Sequence, residues 1–483
     1  MKKKELINLG LGQKDLLEVA LAAVAAAEAA GVAKTTLRRQ LKDLVAQPQP
    51  FFGDEIWSGL ARRWAARWAP AATAAGLARA GFKPREKMAP YRRWGSDIEP
   101  EALRQIENAC ALPVAVAGAL MPDAHVGYGL PIGGVLATRR SVIPYAVGVD
   151  IACRVKMTLF DAPVGKLDGE RDRLRKALER ETRFGVGAEF RDRRQHEVVD
   201  ADWSVSPITK KFKDKAWAQL GTSGSGNHFV EFGEIEVPEP VAAPRGGGRG
   251  AYQLAPGRYL ALLSHSGSRG TGAAVCDHYS KIAMARHDEL PKELKHLAWL
   301  ELDSQEGQEY WQAMQLMGRY ASANHALIHH HLAKALGYEV IFDVENHHNF
   351  AWEEEHGGER LIVHRKGATP AGRGVFGIIP GSMASPAYLV RGKGQADSLD
   401  SAAHGAGRVM SRKKAKESFT WSETKKLLRE REVELISADI DEAPMVYRDI
   451  DQVMLAQDEL VEKVARFFPR LVKMAPAGER AED

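Results

Sequence analysis

Gly148-Val149-Asp150-Ile151-Ala152-Cys153 leads, through Arg154, into Val155-Lys156-Met157-Thr158-Leu159-Phe160. The second half is a short apolar run rich in strand-forming residues, of strand length. The first half reads as a loop between two apolar runs, following a strand-like stretch, and carries a carboxylate and a thiol three residues apart. Comparable short runs recur at Ala115-Val116-Ala117, Gly134-Val135-Leu136-Ala137-Thr138 and Tyr259-Leu260-Ala261-Leu262-Leu263, with another over 339–344. Between them lie segments of helical spacing at 168–182, 305–336, 422–434 and 451–468. Strands and helices mix without regular βαβ alternation, so the expected fold is α+β, an irregular α/β core.

The flanks differ from this core. Residues 1–85 are rich in Ala, Leu, Arg and Trp, as in Leu60-Ala61-Arg62-Arg63-Trp64-Ala65-Ala66-Arg67-Trp68. Apolar residues recur there at helical spacing, with breaks near Gly31, Pro48-Gln49-Pro50 and Pro70, which predicts a small all-α region used for packing or positioning. Pro238-Glu239-Pro240 through Gly246-Gly247-Gly248 is expected to be a surface loop, and 475–483 a flexible tail. No internal repeat is found.

The bulk composition, 45% hydrophobic and 27% charged over 483 residues, is that of a soluble globular chain. With 67 basic against 63 acidic residues, the net charge of +4 makes no polycation, so any nucleic-acid binding needs a local basic groove. Three cysteines, Cys110, Cys153 and Cys276, cannot build a disulfide framework and point to a reducing compartment. The Lys-rich start resembles a signal peptide, but the charge-free run between Glu18 and Glu28 is too short to span a membrane and no cleavage site follows. The expectation is a cytoplasmic protein with no membrane partner.

Chemistry concentrates in histidine frames. Asp150 and Cys153 offer a mixed hard and soft ligand set suited to manganese, zinc or iron; taken alone, they read equally as a buried cysteine beside a turn aspartate. His228 sits in Gly224-Ser225-Gly226-Asn227-His228-Phe229, with Glu231 three residues on. His265 enters Ser266-Gly267-Ser268-Arg269-Gly270, a stretch suited to binding an anion. His347 and His348 are adjacent, so only one faces a given site, and spacing does not choose between them. His404, in Ala403-His404-Gly405-Ala406-Gly407-Arg408, has no metal-ligand partner nearby but has glycines and a fixed cation, a setting for a histidine that attacks a nucleotide phosphate. His364-Arg365-Lys366-Gly367-Ala368-Thr369-Pro370 and Ile379-Pro380-Gly381-Ser382-Met383 read as loops for phosphates and a base.

Taken with Met121-Pro122-Asp123-Ala124-His125-Val126-Gly127-Tyr128-Gly129-Leu130-Pro131-Ile132-Gly133-Gly134, these frames resemble the RtcB family of RNA ligases over residues 86–474. The resemblance implies an RtcB-like mixed β-sheet core with surrounding helices. It also implies an enzyme joining RNA 3′-phosphate or 2′,3′-cyclic phosphate ends to 5′-hydroxyl ends, in RNA repair or tRNA splicing, with GTP and two Mn2+ (other divalent transition metals fit the same ligands). Carried over by motif, His404 is the nucleophile that takes GMP. Asp150, Cys153, His228, His265 and His348 hold the metals, which selects His348 over His347. Asn227, Glu231, Asn349, Ser382, Met383, Arg408, Tyr447 and Lys473 bind the nucleotide, and Arg269, Arg365 and Lys366 the phosphates or RNA. An archease-like activator is a candidate partner.

The chain departs from the family pattern in places. Arg154 follows Cys153 where the family has glycine, Asn324-His325 through His329-His330 replace an Asn-Arg pattern, and Ala387 stands where a serine is expected, with Ser385 nearby. The carboxyl end reads Val472-Lys473-Met474 rather than Lys-Gly. Two other readings use the same residues: a metal-dependent hydrolase or cyclic phosphodiesterase of RNA ends, and a non-catalytic RNA-end-binding protein. A nucleotide-linked histidine separates the ligase from the first, and a full metal-ligand set from the second.

Overall fold

The computed structural model describes residues 3–9, 11, 14–46, 48–67, 84–244 and 251–479. The expected break at Pro70 and the glycine run 246–248 lie outside the described residues.

Near the amino terminus, helices Lys3–Asn8, Lys14–Ala29, Lys34–Ala46 and Ser58–Arg67 pack on one another. Leu37, Leu41 and Leu44 fall on one face, spaced by four and three residues, and are fully buried together with Leu60 and Trp57. Trp64 joins them and donates its indole N–H to the Val45 carbonyl at 2.9 Å. Lys42 ties this bundle to the rest of the chain through Asp202 and through Ser204 Oγ at 3.2 Å.

The remaining fold is the expected mixture of sheets and helices. One sheet orders Tyr91–Arg93, Ala115–His125, Ile132–Thr138, Glu359–Lys366 and Asn349–His356, antiparallel except for its first pair. The larger sheet orders Val340–His347, Arg154–Phe160, Gly257–Ser266, Phe229–Val237, Val461–Met474, Ala387–Gly392 and Phe376–Ile379, with Glu434–Ser437 alongside Val461–Met474. Its two edges nearly meet. Asn346 on the first strand accepts from Ile378 N–H at 2.8 Å and donates to the Ile378 carbonyl at 3.2 Å, so one side-chain amide substitutes for a ladder pair. The sheet thereby curls toward a barrel whose inner face is filled by residues such as Met157, Leu263, Phe342, Leu389 and Phe467.

Helix Gln305–Leu336 backs this sheet and matches the predicted 305–336 segment. Ser304 caps its start by accepting from Gly307 N–H, and Gly337, at φ +64°, ends it in the left-handed conformation that a side chain disfavours.

Several expectations are corrected. The 451–468 segment is not one helix: helix Ile450–Ala456 stops and Val461–Met474 is the longest strand of the large sheet. Its apolar spacing fits a helix, but neighbours pair with it on both sides, and this tertiary pairing overrides local pattern. The ladder shifts register after Pro469, which has no N–H to give. Within the loop expected from Pro238, Val241–Pro244 is a strand that pairs antiparallel with Ala251–Leu254. At the carboxyl end, Glu479 accepts from Val186 N–H at 3.2 Å, and Gly478 N–H donates to Asp439 at 3.3 Å. Among the described residues, no helix is long and apolar enough to cross a membrane.

Candidate metal and nucleophile site

Three neighbouring strands of the large sheet bring the histidines together. Cys153 immediately precedes Arg154–Phe160, His228 immediately precedes Phe229–Val237, and His265 lies inside Gly257–Ser266, which runs beyond the predicted strand end. His348 follows Val340–His347 on the far side of Arg154–Phe160. Asp150 enters from a loop that follows not a strand, as expected, but the short helix Pro144–Val147. That loop is tightly constrained. Ala152 holds φ +58°, a conformation rarely taken by a residue with a side chain, and donates its N–H to the Asn349 carbonyl at 2.6 Å. His348 N–H in turn donates to the Cys153 carbonyl at 3.0 Å.

The side chains converge. Cys153 Sγ lies 3.2 Å from His228 Nε2 and 3.1 Å from His265 Nε2. His265 Nε2 lies 3.2 Å from His348 Nε2, and His228 Nε2 lies 3.2 Å from Asp150 Oδ2. Cys153 is thus central, with Asp150 and His228 on one side and His265 and His348 on the other. Asp150 Oδ1 accepts from Ser268 N–H at 2.9 Å, whereas Oδ2 is buried without a hydrogen bond among the described residues. Gly267 makes the approach possible, since a Cβ there would lie 1.9 Å from the Asp150 carboxylate.

Sulfur, imidazole nitrogen and carboxylate oxygen at these separations fit a divalent transition metal. Ligand atoms about 2.0–2.3 Å from one tetrahedral ion stand roughly 3.3–3.7 Å apart, close to the spacings here. Protonation is favourable too. Burial pushes His265 and His348 well below the ordinary imidazole range, leaving neutral nitrogens that protons do not block at pH 7. Burial pushes the Asp150 carboxyl up, but His228, Cys153 and the Ser268 amide together outweigh it and hold it below its usual value.

His404 stands beside this cluster, its ring centroid 4.8 Å from that of His348. Its Nδ1 is 2.7 Å from Asp123 Oδ2, which also accepts from His404 N–H at 3.2 Å and Gly405 N–H at 3.3 Å. Asp123 is completely buried, and as an acceptor it fixes the proton on Nδ1, leaving the Nε2 lone pair free to attack. Gly407, at φ +72°, lets the chain turn against the Asp123 carbonyl, where a Cβ would stand 2.3 Å from the oxygen. Nothing local to Asp123 in the sequence marks this role. The only signal was a carboxylate in a motif some 280 residues from its partner.

Both groups open into one cavity of about 540 Å³. Of the predicted residues, Asn227, Glu231, Asn349, Lys366, Ser382, Met383, Arg408 and Tyr447 line it with the metal-type ligands and His404. Asn349 also braces the wall, accepting from Gly367 N–H at 2.9 Å and donating to the Asp150 carbonyl at 3.2 Å. Lys366, driven down to about 8 by burial, donates to the Tyr128 carbonyl at 2.6 Å. Three predicted residues are not in the lining. Arg365 spends its guanidinium on Glu354, Ser401 and Leu399. Arg269 is bonded to Thr222 and Gly185. Lys473 Nζ donates to Thr182 Oγ1 at 3.0 Å. Conversely, Glu442 and Arg412 line the cavity without having been singled out: buried Glu442 pairs with Arg412, with Tyr447 OH and with Arg408 at 3.3 Å.

Residues that depart from the family pattern sit directly behind the ligands. Buried Arg154 pairs with Glu345 at 2.9 Å and donates to the Gly318 carbonyl at 2.8 Å, fastening the Cys153 strand to helix Gln305–Leu336. On the same helix, His325 and His329 bracket Ser264 Oγ at 2.6 and 2.8 Å, beside His265, and Asn324 donates to the Gly267 carbonyl at 3.0 Å. Ala387 is buried in the cavity wall, where Ser385 and Ser382 hydroxyls meet at 2.8 Å.

Glu231 supplies a pH test. Burial alone raises its carboxyl well above the ordinary value. The folded chain therefore holds its proton more tightly than the unfolded one, and stability falls as pH rises above the unfolded carboxylate range. Glu231→Gln is expected to raise Tm by about 1–3 °C at pH 8 and not at pH 4 in thermal melts; an equal gain at both pH values would show that ionisation is not the cause.

Comparison with known proteins agrees with this geometry. The family model described as "tRNA-splicing ligase RtcB" matches residues 105–474. The RNA-splicing ligase RtcB of Escherichia coli (strain K12) is 33% identical over 412 aligned positions, covering 78% of this chain and 95% of that protein. The tRNA-splicing ligase RtcB of Nanoarchaeum equitans is 33% identical over 461 positions, covering 79% of this chain and 94% of that protein. That of Archaeoglobus fulgidus is 31% identical over 451 positions, covering 77% and 91%. A buried Cys-His-His cluster, a carboxylate-held histidine beside it and a match through nearly all of the mixed-sheet core place this chain in the RtcB family of RNA ligases.

Proposed function

We propose that the chain joins an RNA 3′-phosphate end to a 5′-hydroxyl end through a histidine–GMP intermediate at His404, using GTP. The observation that carries this reading is the Asp123–His404 pair beside the metal-type ligands. His404 Nε2 attacks the α-phosphorus of GTP, a P–N bond forms and pyrophosphate leaves. An oxygen of the RNA 3′-phosphate then takes the guanylyl group, which breaks the P–N bond and returns the lone pair to Nε2. The 5′-hydroxyl attacks the activated 3′-phosphorus and GMP departs with the hydroxyl proton. A 2′,3′-cyclic phosphate must first be opened by water. Two Mn2+ ions, or other divalent transition metals, on Asp150, Cys153, His228, His265 and His348 would neutralise phosphate charge next to His404.

Asn227, Glu231, Ser382, Met383 and Tyr447 would hold the guanylate, with Arg408 and Lys366 facing phosphate charge. Asn349, Arg269, Arg365 and Lys473 would hold the walls that carry these groups. Residues 1–85 would be an appendage to a catalytic domain of 86–474. Three buried cysteines outside any disulfide fit a reducing, cytoplasmic setting, and an archease-like activator is a partner to test alongside RNA. The test is incubation with α-labelled GTP and Mn2+. An acid-labile, base-stable label on the protein, discharged by RNA bearing a 3′-phosphate, is expected. No label with folded, metal-loaded protein, with or without the activator, would overturn the reading in favour of RNA-end hydrolysis.

A further inference from the structure

The loop between strands Ala115–His125 and Ile132–Thr138 presents two exposed apolar side chains at the cavity, Val126 at 41% and Tyr128 at 63% exposure. Neither is loosely held. Gly127 exchanges two hydrogen bonds with the Gln105 amide, at 2.5 and 3.0 Å. The Tyr128 carbonyl accepts from Lys366, and Gly129 lies so close to His296 that a Cβ would stand 2.7 Å from its carbonyl oxygen. The Tyr128 ring meets His296 edge-on at 5.7 Å and Tyr145 at 6.5 Å. These contacts orient the ring while leaving most of its surface to solvent.

Its position relative to the chemistry is short-range. A Cβ on Gly367 would lie 3.2 Å from His404 Cε1, and the preceding residue, Lys366, reaches the Tyr128 backbone. The buried Lys366 side chain therefore runs from the residue beside His404 to the backbone of Tyr128, and all three line one cavity. A phosphate held beside Lys366 would leave the base attached to its sugar in the same cavity as the ring. A pre-oriented aromatic face next to a cation suits a nucleobase, because every base has a π-face and stacking needs no hydrogen-bond code. Little entropy remains to be lost on binding, since the loop is already pinned.

We propose that Tyr128 is the stacking platform for the terminal nucleobase of the RNA strand whose 3′-phosphate enters the cavity, an inference that rests on the ligase reading. Tyr128 thereby sets the affinity for RNA ends independently of base identity, and a missing base weakens binding more than a changed one.

The test is equilibrium binding of short 3′-phosphorylated oligoribonucleotides, read by fluorescence of 2-aminopurine at the terminal position, together with ligation kinetics. Tyr128→Ala is expected to weaken binding and raise KM for RNA about 10-fold and to remove the stacking-induced quench, with Tyr128→Phe restoring both. An abasic terminal nucleotide should impose the same penalty on the wild-type protein and little further penalty on Tyr128→Ala. Unchanged quenching and affinity in Tyr128→Ala, or an undiminished abasic penalty, would overturn the platform. Wild-type protein that binds and quenches but joins no ends would retain the platform and overturn the ligase reading instead.

Discussion

With His404 replaced by alanine, no GMP label is expected on the protein and no RNA joining, because His404 is the cavity imidazole beside the metal-type ligands whose Nδ1 is held by a buried carboxylate, whereas the Nδ1 of His125, which also lines the cavity, faces the Asp123 backbone carbonyl. Asp123→Asn is the more informative companion. Asp123 Oδ2 accepts three donors: His404 Nδ1, His404 N–H and Gly405 N–H. An asparagine oxygen in that place would still accept all three, so the tautomer with a free Nε2 survives. What disappears is the negative charge facing the ring. Once Nε2 bonds to phosphorus while Nδ1 keeps its proton, the imidazole is cationic, and it is only 15% exposed against a fully buried Asp123. Losing one partner of a buried ion pair costs about 3–5 kcal/mol, which corresponds to a fall of at least ~100-fold in the rate of labelling. Rapid-quench measurement of label formation checks this. A rate within a few-fold of wild type would mean that Asp123 merely orients the ring.

The second large effect is expected at the metal-type cluster. Cys153 Sγ touches both His228 and His265, so its removal deprives both sides of the cluster at once. Cys153→Ser, which keeps the volume but not the soft thiolate, is expected to weaken binding of Mn2+ or Co2+ by more than about 100-fold, since loss of an outer-shell partner alone costs about 10–100-fold. Calorimetric titration reads the affinity. Cobalt absorption reads the sulfur bond, which should give a charge-transfer band in wild type and none in the variant. GMP labelling should disappear with the metal. The affinity should also fall as pH drops, because thiolate and imidazole must lose protons to bind. Unchanged affinity in a folded variant would remove Cys153 from the ligand set.

The sequence by itself determined the family of this protein and which residues carry reactive groups. Each histidine stands in a local frame of glycines, amides or cations, and such frames can be read from a few neighbours; so can the helix 305–336, whose Ser304 cap and Gly337 terminator are local signals. The mixed α+β class and the family followed from the same short motifs. What only the tertiary structure decided is which atoms meet. His347 and His348 are equivalent by spacing, but alternation at the strand end turns His348 to the cluster and packs His347 on Phe350 and Trp352. Arg365, Arg269 and Lys473 carry the right charge for phosphate, yet carboxylates, hydroxyls and carbonyls from distant segments occupy them. Asp123 found its partner, Arg154 and His325 found the back of the ligand strands, and 461–474 became a central strand rather than a helix. All of these are contacts between residues far apart in the chain. They depend on which strands pair and how closely backbones approach, and no local pattern encodes that; it is settled by burying the most apolar surface while satisfying every buried polar group.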